Sequence, residues 1–188
     1  MAILNIETDR LILRKFENND MEALHQLLKD KEVNTFLPWF PVKDMAETKH
    51  FYETRFANNE YSLAICLKDN DPIGYIKVDA DESHDLGYAL RKEFWHKGIV
   101  TEAGKSLIRQ LKQDGIPYIT ATHDRNNPRS GSVMRQIGMK YCYSYEEQWQ
   151  PKNILVTFRM YQLNLDGQED RVFSKYWKLY DTHFIEND

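Results

Sequence analysis

The chain has 188 residues, 41% of them hydrophobic and 29% charged, and its formal net charge is −4. This length favours one domain with a sizeable core, and the acidic balance argues against nucleic acid as the main partner. No apolar run approaches a membrane span, and the opening MAILNIETDR lacks the order of a signal peptide, so we expect a soluble, cytoplasmic protein with no membrane partner.

The first half of the chain predicts three strands and two helices. The strands are rich in branched residues and are RLILRKF (10–16), YSLAICL (61–67) and PIGYIKVD (72–79). The first helix lies in NNDMEALHQLLKD (18–30), with Asp20 as its N-cap. The second begins at a capping box formed by Asp44 and Glu47.

The second half alternates strands with helices. The predicted strands are DLGYALR (85–91), YITATH (118–123), KYCYSYEEQW (140–149) and ILVTFRMYQL (154–163). One helix follows Gly98. The other lies in NNPRSGSVMRQIG (126–138), where Asn127 fits the N-cap, Pro128 the first turn and Gly138 the end.

This element order predicts an α/β (α+β) fold with a mixed, mostly antiparallel sheet of six to seven strands, flanked by helices. The main domain spans residues 1–165, and residues 166–188 form an extension. Aromatic residues at helical spacing predict a C-terminal helix over residues 171–184, packed on the same domain or on a second subunit of a homodimer.

The stretch EFWHKGIVTEAGKSLIRQL (93–111) places one glycine between basic residues at the start of a helix. Gly98 either provides a flexible turn or allows an anion to approach the unpaired N–H groups of the first helical turn. Lys97 and Lys105 are either solvated surface lysines or phosphate contacts. The residues alone leave both alternatives open.

Three segments in order resemble the GNAT superfamily of acetyl-CoA-dependent N-acetyltransferases, and especially its ribosomal-protein N-acetyltransferase branch. They are TDRLILRKF (8–16), LGYALRKEFWHKGIVTEA (86–103) and NPRSGSVMRQIGM (127–139). The resemblance covers about residues 7–164. It implies acetyl-CoA as cosubstrate and a primary amine as acceptor, either a protein N-terminus or a small molecule.

The resemblance also implies where CoA binds. The family's acyl-CoA loop corresponds to residues 95–100, where Gly98 matches the pattern and Val100 replaces a small residue. The backbone N–H groups implied to face the pyrophosphate belong to His96, Lys97, Gly98, Val100 and Thr101. Tyr88 and Leu90 lie on the strand whose free backbone groups would bind pantetheine as an added strand.

The chemistry needs a base for the amine and a proton donor for the leaving thiolate. Asp85 is the first candidate for the base, and Asp79 and Glu102 are alternatives. Glu102 equally fits a purely structural role, because an acid in a first helical turn is favourable by itself.

Many family members use a tyrosine as the acid, and Met134 stands at that place here. The resemblance points instead to Ser130, one turn earlier. Asn127 would hold the pantetheine arm, although helix capping explains it equally well.

Other residues carry weaker signals. His123 either lines the groove or is an ordinary strand-end residue. An aromatic cluster either walls the acceptor pocket or packs in the core: Phe36, Trp39 and Phe40. The histidines and the isolated Cys66 and Cys142 have no metal-ligand spacing. Two alternative functions stay open, a non-catalytic acyl-CoA sensor and a nucleotide-phosphate protein, although the chain lacks both the P-loop and the dinucleotide glycine pattern.

Overall fold

The computed structural model describes residues 4–187, which form nine β-strands and five α-helices. The strands are β1 (Asn5–Glu7), β2 (Leu11–Arg14), β3 (Ser62–Leu67), β4 (Pro72–Val78), β5 (Leu86–Leu90), β6 (Tyr118–Asp124), β7 (Lys140–Trp149), β8 (Ile154–Asn164) and β9 (His183–Phe184). The helices are α1 (Met21–Lys29), α2 (Met45–Arg55), α3 (Ile99–Gln113), α4 (Pro128–Gln136) and α5 (Lys175–Leu179). In this part of the chain, no helix combines the length and the apolar character needed to cross a membrane.

The strands form two antiparallel sheets. The first has the order β1-β2-β3-β4-β5 and the second the order β6-β8-β7-β9. This arrangement confirms the predicted mixed α/β class with mostly antiparallel pairing. The described residues hold more strands than the six or seven predicted, because β1 and β9 have only three and two residues and are too short to show a period.

Helices cover both faces of the first sheet. On β3, Leu63 and Ile65 belong to one core, which α3 completes with Leu107 and Leu111. The intervening residues of β3 point to a second core, to which α1 contributes Leu24, Leu27 and Leu28. Successive strand residues face opposite sides of a sheet, so this alternation places α3 on one face and α1 on the other.

The helix ends follow the predicted signals with two differences. Asp44 caps α2 by accepting the N–H of Glu47, and Gly138, with φ of 97°, terminates α4. Asp20 and Asn127 hold the N-cap positions of α1 and α4, but neither side chain makes a capping hydrogen bond. The Asp20 carboxylate instead accepts two hydrogen bonds from Arg14, at 2.6 and 3.0 Å.

The two sheets meet at one point and then separate. In residues 4–187 the backbone pairing between the β5 and β6 segments is a single parallel bridge, between Asp85, just before β5, and Thr120 of β6. At this bridge the Thr120 N–H donates to the His84 carbonyl at 3.3 Å. Beyond this bridge β5 and β6 belong to different sheets. The result is a groove between the strands that opens toward the end of β5.

The C-terminal segment differs from the prediction of one helix over residues 171–184. It contains the five-residue helix α5 and then β9, which pairs with β7. The rings of Tyr176 and Tyr180 both stack on Tyr145 of β7, with centroids 5.1 and 4.8 Å away. The helical spacing of these aromatic residues therefore reflects their contacts with one ring. The helix itself ends before Tyr180, whose backbone is extended.

Candidate active site

The free edge of β5 lines the groove. Two hydrogen bonds show which opposed residues of β4 and β5 are hydrogen-bonded pairs. They run from the Arg91 N–H to the Ile73 carbonyl and from the Asp79 N–H to the Asp85 carbonyl. Hydrogen-bonded and non-bonded pairs alternate in an antiparallel ladder, so the backbone groups of Tyr88 and Leu90 project away from β4, toward the groove. The Leu90 carbonyl accepts a hydrogen bond from Trp95 Nε1 at 2.7 Å.

The loop before α3 adds a set of free backbone N–H groups. His96 and Gly98 both have positive φ, 61° and 69°, and the loop residues 96–98 are exposed. The first hydrogen bond of α3 runs from the Glu102 N–H to the Gly98 carbonyl, so the N–H groups of residues 99–101 have no acceptor within the helix. The positive end of the α3 dipole lies at the same place.

The side chains of this loop are partly committed elsewhere. Lys97 Nζ lies over the Phe94 ring, 5.4 Å from its centroid, and Thr101 Oγ1 donates to Gln136 of α4 at 3.0 Å. Val100 is half-buried beside the first core. Lys105 and Arg109 line a surface pocket together with Gly98 and Thr101, and the acidic Glu7, Asp9 and Glu102 line the same pocket. These cations and carboxylates oppose each other, so the backbone N–H groups are the main feature that this loop offers to an anion.

The start of α4 faces β5 across the groove. The Tyr88 hydroxyl oxygen lies 2.8 Å from Ser130 Oγ and 3.0 Å from the Ser130 carbonyl oxygen. Asn127 is half-buried, and its side chain is not used for capping. Met134 is 1% exposed and packs in the first core, so the place one turn beyond Ser130 holds no proton donor.

Asp85 lies at the narrow end of the groove, where the two sheets join. Burial raises the pKa of its carboxyl group to about 7, although the Lys77 cation acts to lower it. Thr120 Oγ1 lies 3.5 Å from Asp85 Oδ1. The alternative Asp79 is held in an ion pair with Lys77, at 2.6 Å. A carboxyl group that titrates near neutrality is suited to accept a proton, and Asp85 has this property.

Comparison with known proteins agrees with this geometry. The sequence profile of the acetyltransferase (GNAT) domain matches residues 10–140. The chain belongs to the GNAT family of acetyltransferases. It is 28% identical over 142 residues to an uncharacterized N-acetyltransferase, YnaD, of Bacillus subtilis (strain 168), covering 73% of this chain and 83% of the relative. Membership makes it an acetyl-CoA-dependent N-acetyltransferase and confirms the predicted family, activity class and cosubstrate.

Two solved structures share the GNAT fold at low identity. One is RimL, a ribosomal L7/L12 alpha-N-protein acetyltransferase in complex with coenzyme A, with a TM-score of 0.72 and 22% identity, over 87% of this chain and 99% of that one. The other is a spermidine N-acetyltransferase from Vibrio cholerae in complex with CoA and spermine, with a TM-score of 0.72 and 13% identity, over 84% and 97% of the two chains. These likenesses concern the fold alone.

Glu102, the remaining candidate for the base in this GNAT domain, anchors the loop between β1 and β2. Its carboxylate accepts hydrogen bonds from Thr8 Oγ1 at 2.6 Å and from Arg10 Nε at 2.6 Å. Although burial acts to raise the pKa of Glu102, these hydrogen bonds lower it overall. A carboxylate with several donors and a lowered pKa is a poor proton acceptor, so the contacts favour a structural role.

We expect Glu102→Gln to lower the thermal unfolding midpoint by roughly 2–5 °C, because the uncharged amide weakens the bonds to Thr8 and Arg10. The turnover number should change by less than about 3-fold, whereas loss of a general base costs about 100-fold or more. Calorimetry and steady-state kinetics on the same preparation check both values. A fall in kcat of about 100-fold or more would indicate instead that Glu102 acts as the general base.

His123 is buried and does not present a free ring to the groove. Its Nδ1 lies 2.8 Å from the Asp124 carbonyl, and Nε2 is covered by Gly131 of α4, where an added Cβ would lie only 2.5 Å from it. Burial lowers the pKa of His123. The ring therefore supports close packing of α4 on β6.

The aromatic cluster between α1 and α2 divides into two parts. Trp39 is buried in the second core and donates its Nε1 to Asn34 at 2.9 Å, whereas Phe36 and Phe40 are 38% and 60% exposed. Lys152, from the turn between β7 and β8, reaches the same segment and donates to the carbonyls of Asn34 and Thr35, both at 2.8 Å. Core packing explains Trp39, and the two phenylalanines stay available to a ligand.

Two contributions were missed by reasoning from the sequence. The Arg129 guanidinium lies over the Trp95 ring, 5.9 Å from its centroid, and so adds a cation beside the loop before α3. The Tyr88 side chain reaches Ser130, although only its backbone was expected to take part. The sequence shows that Arg129 and Tyr88 have polar side chains. It does not show which residue on another element each of them contacts.

Proposed function

We propose that the protein transfers the acetyl group of acetyl-CoA to a primary amine by direct attack within a ternary complex. The observation that carries this proposal is the open edge of β5, which diverges from β6 beside the free N–H groups of the loop before α3. An extended ligand with a polar backbone and an anionic end fits these two features together. Pantetheine and its pyrophosphate have this combination.

The proposed contacts use backbone more than side chains. The N–H groups of residues 96–98, 100 and 101 would bind the pyrophosphate, assisted by the α3 dipole. Tyr88 and Leu90 would bond pantetheine from the free edge of β5, with the Leu90 carbonyl already engaged by Trp95. Asn127, whose side chain is not needed as a cap, would bond the pantetheine arm from α4.

In the proposed reaction the amine nitrogen attacks the thioester carbonyl carbon. The carbon–nitrogen bond forms, the carbon–sulfur bond breaks, and Asp85 accepts the proton released by the amine. Ser130 donates its hydroxyl proton to the departing sulfur, which leaves as the thiol of CoA. Solvent water then takes the proton held by Asp85 and returns one to the serine oxygen, so both groups regain their starting state. A backbone N–H on the β5 edge would stabilise the carbonyl oxygen as negative charge develops.

The acceptor is a protein N-terminus or a small amine. The similar folds include an enzyme named for a ribosomal protein and one named for spermidine, so the fold alone does not choose between these classes. One wall of an acceptor site would be formed by the segment that carries the exposed Phe36 and Phe40. Lys152 holds this segment by its hydrogen bond to the Asn34 carbonyl.

Turnover against a panel of amines tests this function. Thiol release from acetyl-CoA is followed with peptides that carry free N-termini, with polyamines and with small amines, and the products are identified by mass spectrometry. Acetylation of a primary amine is the expected result. Tight CoA binding without turnover would favour the sensor function, because Met134 removes the usual tyrosine acid. Equal thermal stabilisation by ATP would favour the nucleotide alternative.

We expect Ser130→Ala to lower kcat by roughly 10- to 1,000-fold, because the departing sulfur loses its hydroxyl donor in the transition state. The affinity for CoA should change little, since the backbone contacts remain. Ser132→Ala is the matched control: Ser132 lies on the same helix, but its hydroxyl accepts a bond from Gln136 at the surface. A kcat near that of the unmodified protein would assign protonation of sulfur to water.

A further inference from the structure

The Tyr88 side chain forms the polar contact between β5 and α4. Its hydroxyl oxygen lies 2.8 Å from Ser130 Oγ and 3.0 Å from the Ser130 carbonyl. The ring is half-buried against the first core, so the hydroxyl has a fixed approach to the first turn of α4. A phenol has one proton and a serine hydroxyl has one proton, so the direction of this bond decides which proton stays free.

Only one of the two directions leaves Ser130 able to act on sulfur. If Ser130 donates to Tyr88, its proton is occupied. If Tyr88 donates to Ser130 Oγ, the serine proton is free to turn toward another acceptor in the groove. The phenol is the stronger acid of the two, and the carbonyl and hydroxyl oxygens of Ser130 both lie within its reach, so its single proton can be shared between them in a three-centre bond that leaves the serine proton free.

We propose that the Tyr88 hydroxyl is a positioning residue that holds Ser130 in the rotamer whose hydroxyl proton faces the leaving sulfur. This inference rests on the proposed function and adds a residue to its machinery. Burial raises the pKa of Tyr88, so its proton stays in place over the neutral range. As negative charge develops on the serine oxygen, the bond from Tyr88 also strengthens, which supports the transition state more than the ground state.

The test is Tyr88→Phe, which removes the hydroxyl and keeps the ring that packs on the core. We expect kcat to fall by roughly 10- to 100-fold, while CoA affinity and the KM for the acceptor change by less than about 3-fold. The backbone groups of residue 88 are unaltered, so binding of pantetheine should persist. The midpoint of thermal unfolding is measured on the same samples, and the acceptor-free hydrolysis of acetyl-CoA gives a second rate.

A double-mutant cycle separates positioning from an independent effect. If Tyr88 acts through Ser130, the double variant Tyr88→Phe/Ser130→Ala should be no slower than Ser130→Ala alone. Additive losses would contradict the proposal. The matched control is Tyr141→Phe, because Tyr141 makes a similar hydroxyl contact with Ser144, at 2.9 Å, on β7. This control should leave kcat unchanged.

The outcomes distinguish this proposal from the function on which it rests. Absence of turnover by the unmodified protein with every amine contradicts the proposed function itself. Normal turnover by the unmodified protein together with an undiminished kcat in Tyr88→Phe contradicts only the role of Tyr88. A loss that appears in the acceptor KM instead of kcat would also contradict it, because it would place the hydroxyl in the acceptor site.

Discussion

Gly98→Glu should weaken CoA binding by at least about 100-fold while the protein still folds. The carboxylate would stand at the start of α3, where the pyrophosphate is proposed to bind, and repel it at close range. The added side chain would also obstruct approach to the free N–H groups, and each charge-assisted hydrogen bond lost costs about 1.5–3 kcal/mol. Isothermal titration with CoA measures the change.

The matched control is Gly167→Glu. Gly167 is also exposed and has a similar positive φ, 85° against 69° for Gly98, and an added Cβ meets nothing within 4 Å. The control therefore carries the same backbone strain and the same charge, far along the chain from the proposed site. CoA affinity should be unchanged in the control. Unchanged affinity in folded Gly98→Glu would show that the glycine serves only the turn.

Several features could be predicted because their signals are local. The start of α3 after Gly98 and the span of α4 from Pro128 to a terminal Gly138 depend on backbone preferences of single residues. The strand at residues 85–91 was also evident, and β5 lies within it. Such signals locate the loop that we propose binds the pyrophosphate, because a helix start is defined by a few neighbouring residues.

Other features depend on distant parts of the chain. The open edge of β5 exists because β6 leaves it after one bridge, and no property of either strand alone encodes that divergence. Tyr88 and Ser130 are 42 residues apart, and their contact needs both the sheet and α4 in place. The rings of Tyr176 and Tyr180 stack on Tyr145, and their spacing suggested a longer helix because stacking on one ring selects the same spacing.

The raised pKa of Asp85 gives the last prediction, in which activity and stability move in opposite directions. Asp85→Asn should lower kcat by roughly 100- to 10,000-fold, because an amide cannot accept the amine proton. In the unmodified protein, kcat should rise with pH through the pKa of Asp85, about 7, as the carboxylate forms. Any further rise at higher pH belongs to the acceptor amine. The variant should lose the step near pH 7 and keep the amine's step.

Stability gives an independent measurement of the same group. The folded state binds a proton to Asp85 up to about pH 7, whereas the unfolded chain releases it near pH 4, so the group lowers stability as pH rises between these values. Asp85→Asn removes that loss. Its unfolding midpoint should exceed that of the unmodified protein at pH 8, and the difference should vanish below about pH 4, where the carboxyl group is neutral in both states. A midpoint that is lower at pH 8 would mean that the charged carboxylate stabilises the fold. Asp85 would then have a structural role as an anion rather than a catalytic role as the general base.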